Sequence, residues 1–187
     1  MKFIHLQKSH LVTIGVLLLV VAVTSVLAFS IHDRAEKAAR NEANQTLFTD
    51  EATASYVDMQ GNPTSLEDYR GSIIVVNSWA SWSPFSVDEL PVLDDIAKNY
   101  SDKNVVVLAF NRKETKSQAD RFLATLPPLT NLKIIVDTTD FLYGRTGGYA
   151  MPETIVYDVD GVVIEHIRGT VHKESLENIL NNLITSE

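Results

Sequence analysis

Two hydroxyls three positions apart, Ser83 and Ser86, stand in the run Trp79-Ala80-Ser81-Trp82-Ser83-Pro84-Phe85-Ser86, where an apolar stretch gives way to an amphipathic one. In an open α/β sheet the strand ends and the helix starts form the crevice that binds ligands, so this junction is where chemistry is sought first. A serine acts as a nucleophile only beside a general base that is itself oriented. The histidines downstream are His32, His166 and His172. Cysteine is absent, which removes disulfides, thiolate metal sites, iron–sulfur clusters and thiol nucleophiles. The plain structural reading makes Ser83 an N-cap that accepts a backbone N–H, with Pro84 as the first helical residue.

The elements around this junction follow from periodicity. Ile73 to Asn77 is a continuous apolar run, as a strand covered on both faces requires. From Pro84 on, Val87, Leu90, Leu93, Ala97 and Tyr100 recur at helical spacing, which places Asp88, Glu89, Asp94 and Asp95 mostly on the opposite, solvent face, with Pro91 inside the helix. Val105 to Phe110 reads as a second buried strand. Thr115-x-x-Gln118 is a capping box before Ala119, Phe122, Leu123 and Leu126. Ile134 to Asp137 forms a third strand, Asp140 to Tyr143 a short helix, and Val159-Asp160-Gly161 the turn of a hairpin between Thr154–Asp158 and Val162–Arg168. Leu176, Ile179, Leu180 and Leu183 stripe a closing helix. A short strand over Ser55 to Met59 and a helical turn over Ser65 to Tyr69 precede the first apolar run.

Before this domain, Leu11 to Phe29 carries no charge and is long enough to cross about 30 Å of hydrocarbon as a helix. A secretory leader has an apolar region of only about 7 to 15 residues, so a retained anchor is the reading preferred over a cleaved signal. The organisation expected is a cytoplasmic tail over 1–10, a transmembrane helix over 11–30, a polar helical spacer over 31–50 and one domain over 51–187. Basic residues flank the apolar run on both sides and do not fix its orientation. Beyond residue 40 the chain holds 11 basic and 22 acidic residues, a net of −11, and phosphate binding needs clustered Lys and Arg. Nucleic acid is excluded as a partner, and no metal or cofactor is expected.

Asn77-Ser78-Trp79-Ala80-Ser81-Trp82-x-Pro84, the helix with its internal Pro91, the element Met151-Pro152-Glu153-Thr154 and the Asp158–Gly161 hairpin resemble the membrane-anchored thioredoxin-fold disulfide reductases of the TlpA, ResA and CcmG type. The resemblance covers about Ser55 to Leu183. It implies an α/β thioredoxin-like fold, a central mixed sheet flanked by helices, with an N-terminal transmembrane helix holding the domain on the outer face of a bacterial membrane. It also implies that Pro152 is the family's cis-proline and that Glu153 matches a glutamate implicated in tuning a cysteine pair. The chain departs from the family at the pair itself: where members have C-x-x-C, this sequence has Ser83-Pro84-Phe85-Ser86. That chemistry needs a thiolate and a second thiol to close a reducible bond, and two hydroxyls supply neither. None of the histidines falls where this fold brings it to Ser83.

Three functions follow as expectations. The first is a tethered extracytoplasmic domain without dithiol catalysis that binds a protein or peptide partner in a groove of Trp79, Trp82, Pro84, Phe85, Met151, Pro152 and Glu153. Within it, Trp79 and Trp82 are divided between groove and core, Phe85 is exposed, and the Met151 backbone pairs with an extended peptide. Glu153 is then a hydrogen-bonded or solvated carboxylate. The second takes the serine pair as a Cys-to-Ser form of a thiol-disulfide oxidoreductase. The third makes the domain a structural part of a membrane assembly.

Overall fold

The computed structural model describes residues 17–31 and 56–186. They fall into two units, divided between Glu42 and Ala43. In the first, residues 17–31 form one helix (α1) with exposed apolar side chains. Thr24, Ser25 and Ser30 turn their hydroxyls onto carbonyls of their own helix, so its polar side chains are satisfied internally. Among the described residues no helix is long and apolar enough to cross a membrane. The expected tail, residues 11–16 of the expected span, and nearly all of the spacer lie outside the described residues.

The second unit is built on a seven-stranded mixed sheet: β1 Tyr56–Asp58, β2 Pro63–Thr64, β3 Ile73–Trp79, β4 Val105–Arg112, β5 Lys133–Asp137, β6 Glu153–Tyr157 and β7 Val163–Arg168, in the order β2-β1-β5-β4-β3-β6-β7. Strands β3, β4 and β5 run parallel, while β6 lies antiparallel to β3 with Ser78 opposite Glu153. Helices α2 Ser86–Asn99, α3 Lys116–Leu123, α4 Phe141–Arg145 and α5 Lys173–Ser186 complete it, with a 3-10 turn at Leu66–Tyr69. The expected fold class of the domain holds. The Thr115–Gln118 capping box forms in full at the head of α3. The two-residue strand β2 was not anticipated, because its Pro63 reads as a turn residue.

Strand β3 is buried along its whole length, as its apolar run requires. Its alternating residues feed two cores. Ile73, Val75 and Trp79 join Leu90, Leu93 and Ile96 of α2 and Leu176 and Leu180 of α5. Ile74 and Val76 face the other way, against Tyr56, Leu66, Phe110 and Leu142. The same alternation sets Asn77 between Val75 and Trp79, on the α2 face and beneath the junction.

Candidate functional site

The stretch from Ala80 to Ser86 is a pair of interlocked turns. Ser83 N–H donates to the Ala80 carbonyl at 3.1 Å and Ser86 N–H to the Ser83 carbonyl at 3.2 Å, so α2 begins only at Ser86. The capping role expected of Ser83 is thereby corrected: Phe85 occupies the N-cap position, its carbonyl receives the N–H groups of Asp88 and Glu89, and no side chain caps the helix. Ser83 is buried, with no hydrogen-bond partner for its hydroxyl among the described residues. Ser86, also buried, donates its hydroxyl back to the Ala80 carbonyl at 3.0 Å. Of the pair, only the Ser86 hydroxyl takes part in the turn, and among the described residues no histidine hydrogen-bonds to either serine.

Beneath the turn lies a polar cluster. Glu89 is 1 % exposed, which corrects its expected place on the solvent face. Its Oε1 accepts the Val171 N–H at 2.8 Å, and its Oε2 accepts Asn77 Nδ2 at 3.1 Å. Asn77 Nδ2 also reaches the Thr154 hydroxyl at 3.0 Å. Desolvation pushes the Glu89 carboxyl up to about 7, against the opposing pull of the Val171 and Asn77 donors. Glu114 makes a second brace: it accepts the Ser81 N–H at 2.8 Å, Asn111 Nδ2 at 2.7 Å and the Ser81 hydroxyl. Glu114, itself held by Asn111, thus fixes the loop that carries Trp82 at Ser81.

The other wall enters from β6. The Met151–Pro152 peptide is cis, as the resemblance implied. Glu153 is buried and hydrogen-bonded, and accepts the N–H groups of Tyr149 and Ala150 at 2.8 and 2.7 Å on Oε1 and His166 Nε2 at 3.0 Å on Oε2. Burial raises the Glu153 carboxyl, but those two N–H groups and His166 together outweigh it and hold the group below the usual glutamate value. Tyr143 fixes the same segment from the opposite side, donating its hydroxyl to the Ala150 carbonyl at 2.7 Å. Met151 is half-buried and precedes the sheet pairing, which starts at Glu153.

The residues expected to line a groove divide accordingly. Trp82 is 62 % and Phe85 51 % exposed, and Pro84 is exposed beside them. Because β3 and β6 are antiparallel with Ser78 opposite Glu153, the Trp82–Phe85 turn and the Met151 edge leave the sheet at one end. Trp79 is a correction: it is wholly buried, its ring tilted against Phe122 at 5.5 Å between ring centres, because it continues the inward alternation of β3. Pro152 and Glu153 back the groove from inside, buried, and do not face solvent. Sequence reasoning missed Glu89, Glu114, Tyr143 and Tyr149. A cavity of about 640 Å³ lies elsewhere, between Met59, Tyr69, Leu129 and Leu132, with none of these site residues on its wall.

Residues 41–184 match the Redoxin family. The thiol-disulfide oxidoreductase ResA of Geobacillus thermodenitrificans (strain NG80-2) is 30% identical over 130 residues, which span 67% of this chain and 71% of that protein. The thioredoxin-like protein YneN of Bacillus subtilis (strain 168) is 29% identical over 131 residues, 66% of this chain and 72% of its own length. Among solved structures, the exposed lipoprotein thioredoxin Etrx1 of Streptococcus pneumoniae strain TIGR4 is similar with a TM-score of 0.61 and 27% identity, over 69% of this chain and 98% of that one. A thiol:disulfide interchange protein of the thioredoxin family from Chlorobium tepidum TLS shares the fold with a TM-score of 0.60 at 21% identity, over 68% and 90% of the two chains.

Proposed function

The chain belongs to the Redoxin family, and from that premise we propose that it is a membrane-tethered, extracytoplasmic thioredoxin-like domain that binds extended polypeptide without performing dithiol exchange. One observation carries this reading: the turn between β3 and α2 and the cis-proline edge are both built, yet the two positions of the pair hold hydroxyls. One of those hydroxyls is spent on the Ala80 carbonyl. A serine hydroxyl does not ionise near neutral pH and forms no reducible bond, so no electrons pass through Ser83 and Ser86. What remains is shape: exposed Trp82 and Phe85 on one wall, and on the other the Met151 backbone, which precedes the sheet pairing and is free to pair with an added strand.

The tether rests on the uncharged stretch from Leu11 to Phe29, and the extracytoplasmic placement rests on the resemblance to anchored relatives. The test uses the full chain in detergent micelles and reduced, carbamidomethylated ribonuclease A as a permanently extended probe. Binding that weakens on Trp82→Ala and on Phe85→Ala, with no reduction of insulin disulfides above the dithiothreitol background, supports the reading. Accelerated insulin reduction by the chain contradicts it. The ResA relative's name favours a second reading, in which the scaffold is an oxidoreductase whose pair stands as serine. Codons for cysteine at positions 83 and 86 of the genomic gene would decide for that one.

A further inference from the structure

Tyr149 is 81 % exposed, the highest value of any large apolar side chain among the described residues. An exposed ring on a loose loop would be unremarkable. This one stands on a backbone held from both sides. Its own N–H and that of Ala150 are bound by one oxygen of the buried Glu153, and the Ala150 carbonyl takes the Tyr143 hydroxyl. Tyr143 is itself clamped. The Arg112 guanidinium lies 3.2 Å from its ring centre, and Gly148 presses so close that an added Cβ would stand 2.5 Å from the ring. Arg112 in turn is locked by a bidentate pair with Asp140 at 2.8 and 2.6 Å, both side chains mostly buried.

Rigid backbone beneath an exposed aromatic ring is the arrangement of a binding anchor, because little conformational freedom is left to lose when a partner closes on it. Tyr149 lies two residues before Met151, at the sheet end from which Trp82 and Phe85 project. The Arg168 guanidinium stands 6.0 Å from the Tyr149 ring centre and is half-exposed, a cation at the groove in a domain of net negative charge. Arg168 Nε already makes a long ion pair with Oε1 of the buried Glu153 at 4.0 Å, and its side chain remains 46 % exposed, so the guanidinium can meet an outside carboxylate in addition to that internal partner.

We infer that Tyr149 is the anchor of the groove, that Tyr143 and Arg112 are positioning residues for it, and that the occupant is an extended polypeptide segment with an apolar side chain against Tyr149 and a carboxylate beside Arg168. The inference rests on the polypeptide-binding reading above and narrows it.

The probes are two end-blocked, fluorescein-labelled ten-residue peptides of alternating Leu and Thr, one with a central Asp and the other with Lys in its place. Their binding to the full chain in micelles is followed by anisotropy. Wild type is expected to prefer the Asp peptide, and Arg168→Gln to abolish the preference. Tyr149→Ala is expected to lose at least about tenfold in affinity with its unfolding midpoint unchanged. Tyr143→Phe, which keeps the ring and removes the hydroxyl's bonds to Ala150 and Arg112, is expected to speed amide exchange at Ala150 and weaken binding several-fold. If Tyr149→Ala binds like wild type while Trp82→Ala does not, the anchor is overturned and the groove reading stands. A preference for the Lys peptide overturns the assignment of the occupant. If neither peptide binds, both the anchor and the groove reading fall.

Discussion

Asn77 Nδ2 on β3 donates to Glu89 Oε2 on α2 at 3.1 Å, and neither side chain reaches solvent. The carboxyl is pushed up from 4.5 to about 7 by desolvation, so the folded state favours its protonated form. A group whose folded value lies above its unfolded value binds more protons in the native state, and stability therefore falls as pH rises between the two. The contribution is complete below pH 4.5 and gone above about pH 7, a difference of about 3 kcal/mol at 1.36 kcal/mol per pH unit. Urea unfolding at pH 5 and pH 8 measures it as the difference between wild type and Glu89→Gln, which cannot ionise. The variant is expected to gain relative stability at pH 8. The Asn77 Oδ1, which has no partner among the described residues, can turn to accept from the new amide.

Trp79 and Trp82 are two turns of phrase in one sequence motif but occupy opposite environments, 0 % and 62 % exposed. Trp79→Ala leaves a void against Phe122 and Leu90 and is expected to cost about 3–5 kcal/mol in denaturant unfolding. Trp82→Ala is expected to stay within about 0.5 kcal/mol of wild type.

Glu114 braces the Trp82 loop through the Ser81 N–H and the Asn111 amide. Glu114→Ala leaves both donors without their acceptor, at a cost of about 1–3 kcal/mol each if they stay dry. The check is twofold: a lower unfolding midpoint, and faster amide exchange at Ser81.

Ser83→Cys with Ser86→Cys tests whether only the sulfurs are missing. Ser86 opens α2 and Ser83 stands in the turn just before it, and a thiol at a helix N-terminus has its pKa lowered from about 8.5. On air oxidation the double variant is expected to form an intramolecular disulfide, detected as the loss of two hydrogen atoms in mass, and with dithiothreitol as the reductant to accelerate insulin reduction; each single variant is expected to do neither.

Apart from the two-residue β2, the strands and helices of the domain were legible from local signals: the unbroken apolar run of β3, the Thr115–Gln118 box, the turn at Gly161. The alternation along β3 also held the answer for Trp79, which shares the inward face of Val75. Glu89 was not legible. In the first turn of a helix an acid reads as a solvated partner of the dipole, and its burial is decided by the Val171 N–H, 82 residues further along the chain. Ser83 misled for a local reason: the sequence before Pro84 fits an N-cap, but the bond from Ser83 N–H to the Ala80 carbonyl tightens the entry and delays the helix to Ser86. The Arg112–Tyr143–Ala150 clamp joins three segments whose spacing carries no pattern.

The most direct test puts both halves of the account in one cuvette. The full chain is mixed with intact insulin and dithiothreitol, and insulin precipitation and the emission of Trp82 are followed together, with Trp82→Phe as the reference for the buried Trp79. A groove that binds polypeptide and moves no electrons predicts that Trp82 emission shifts to the blue as insulin chains enter, while precipitation runs no faster than with dithiothreitol alone. Precipitation accelerated in proportion to the chain, or Trp82 emission unchanged at saturating insulin, contradicts it.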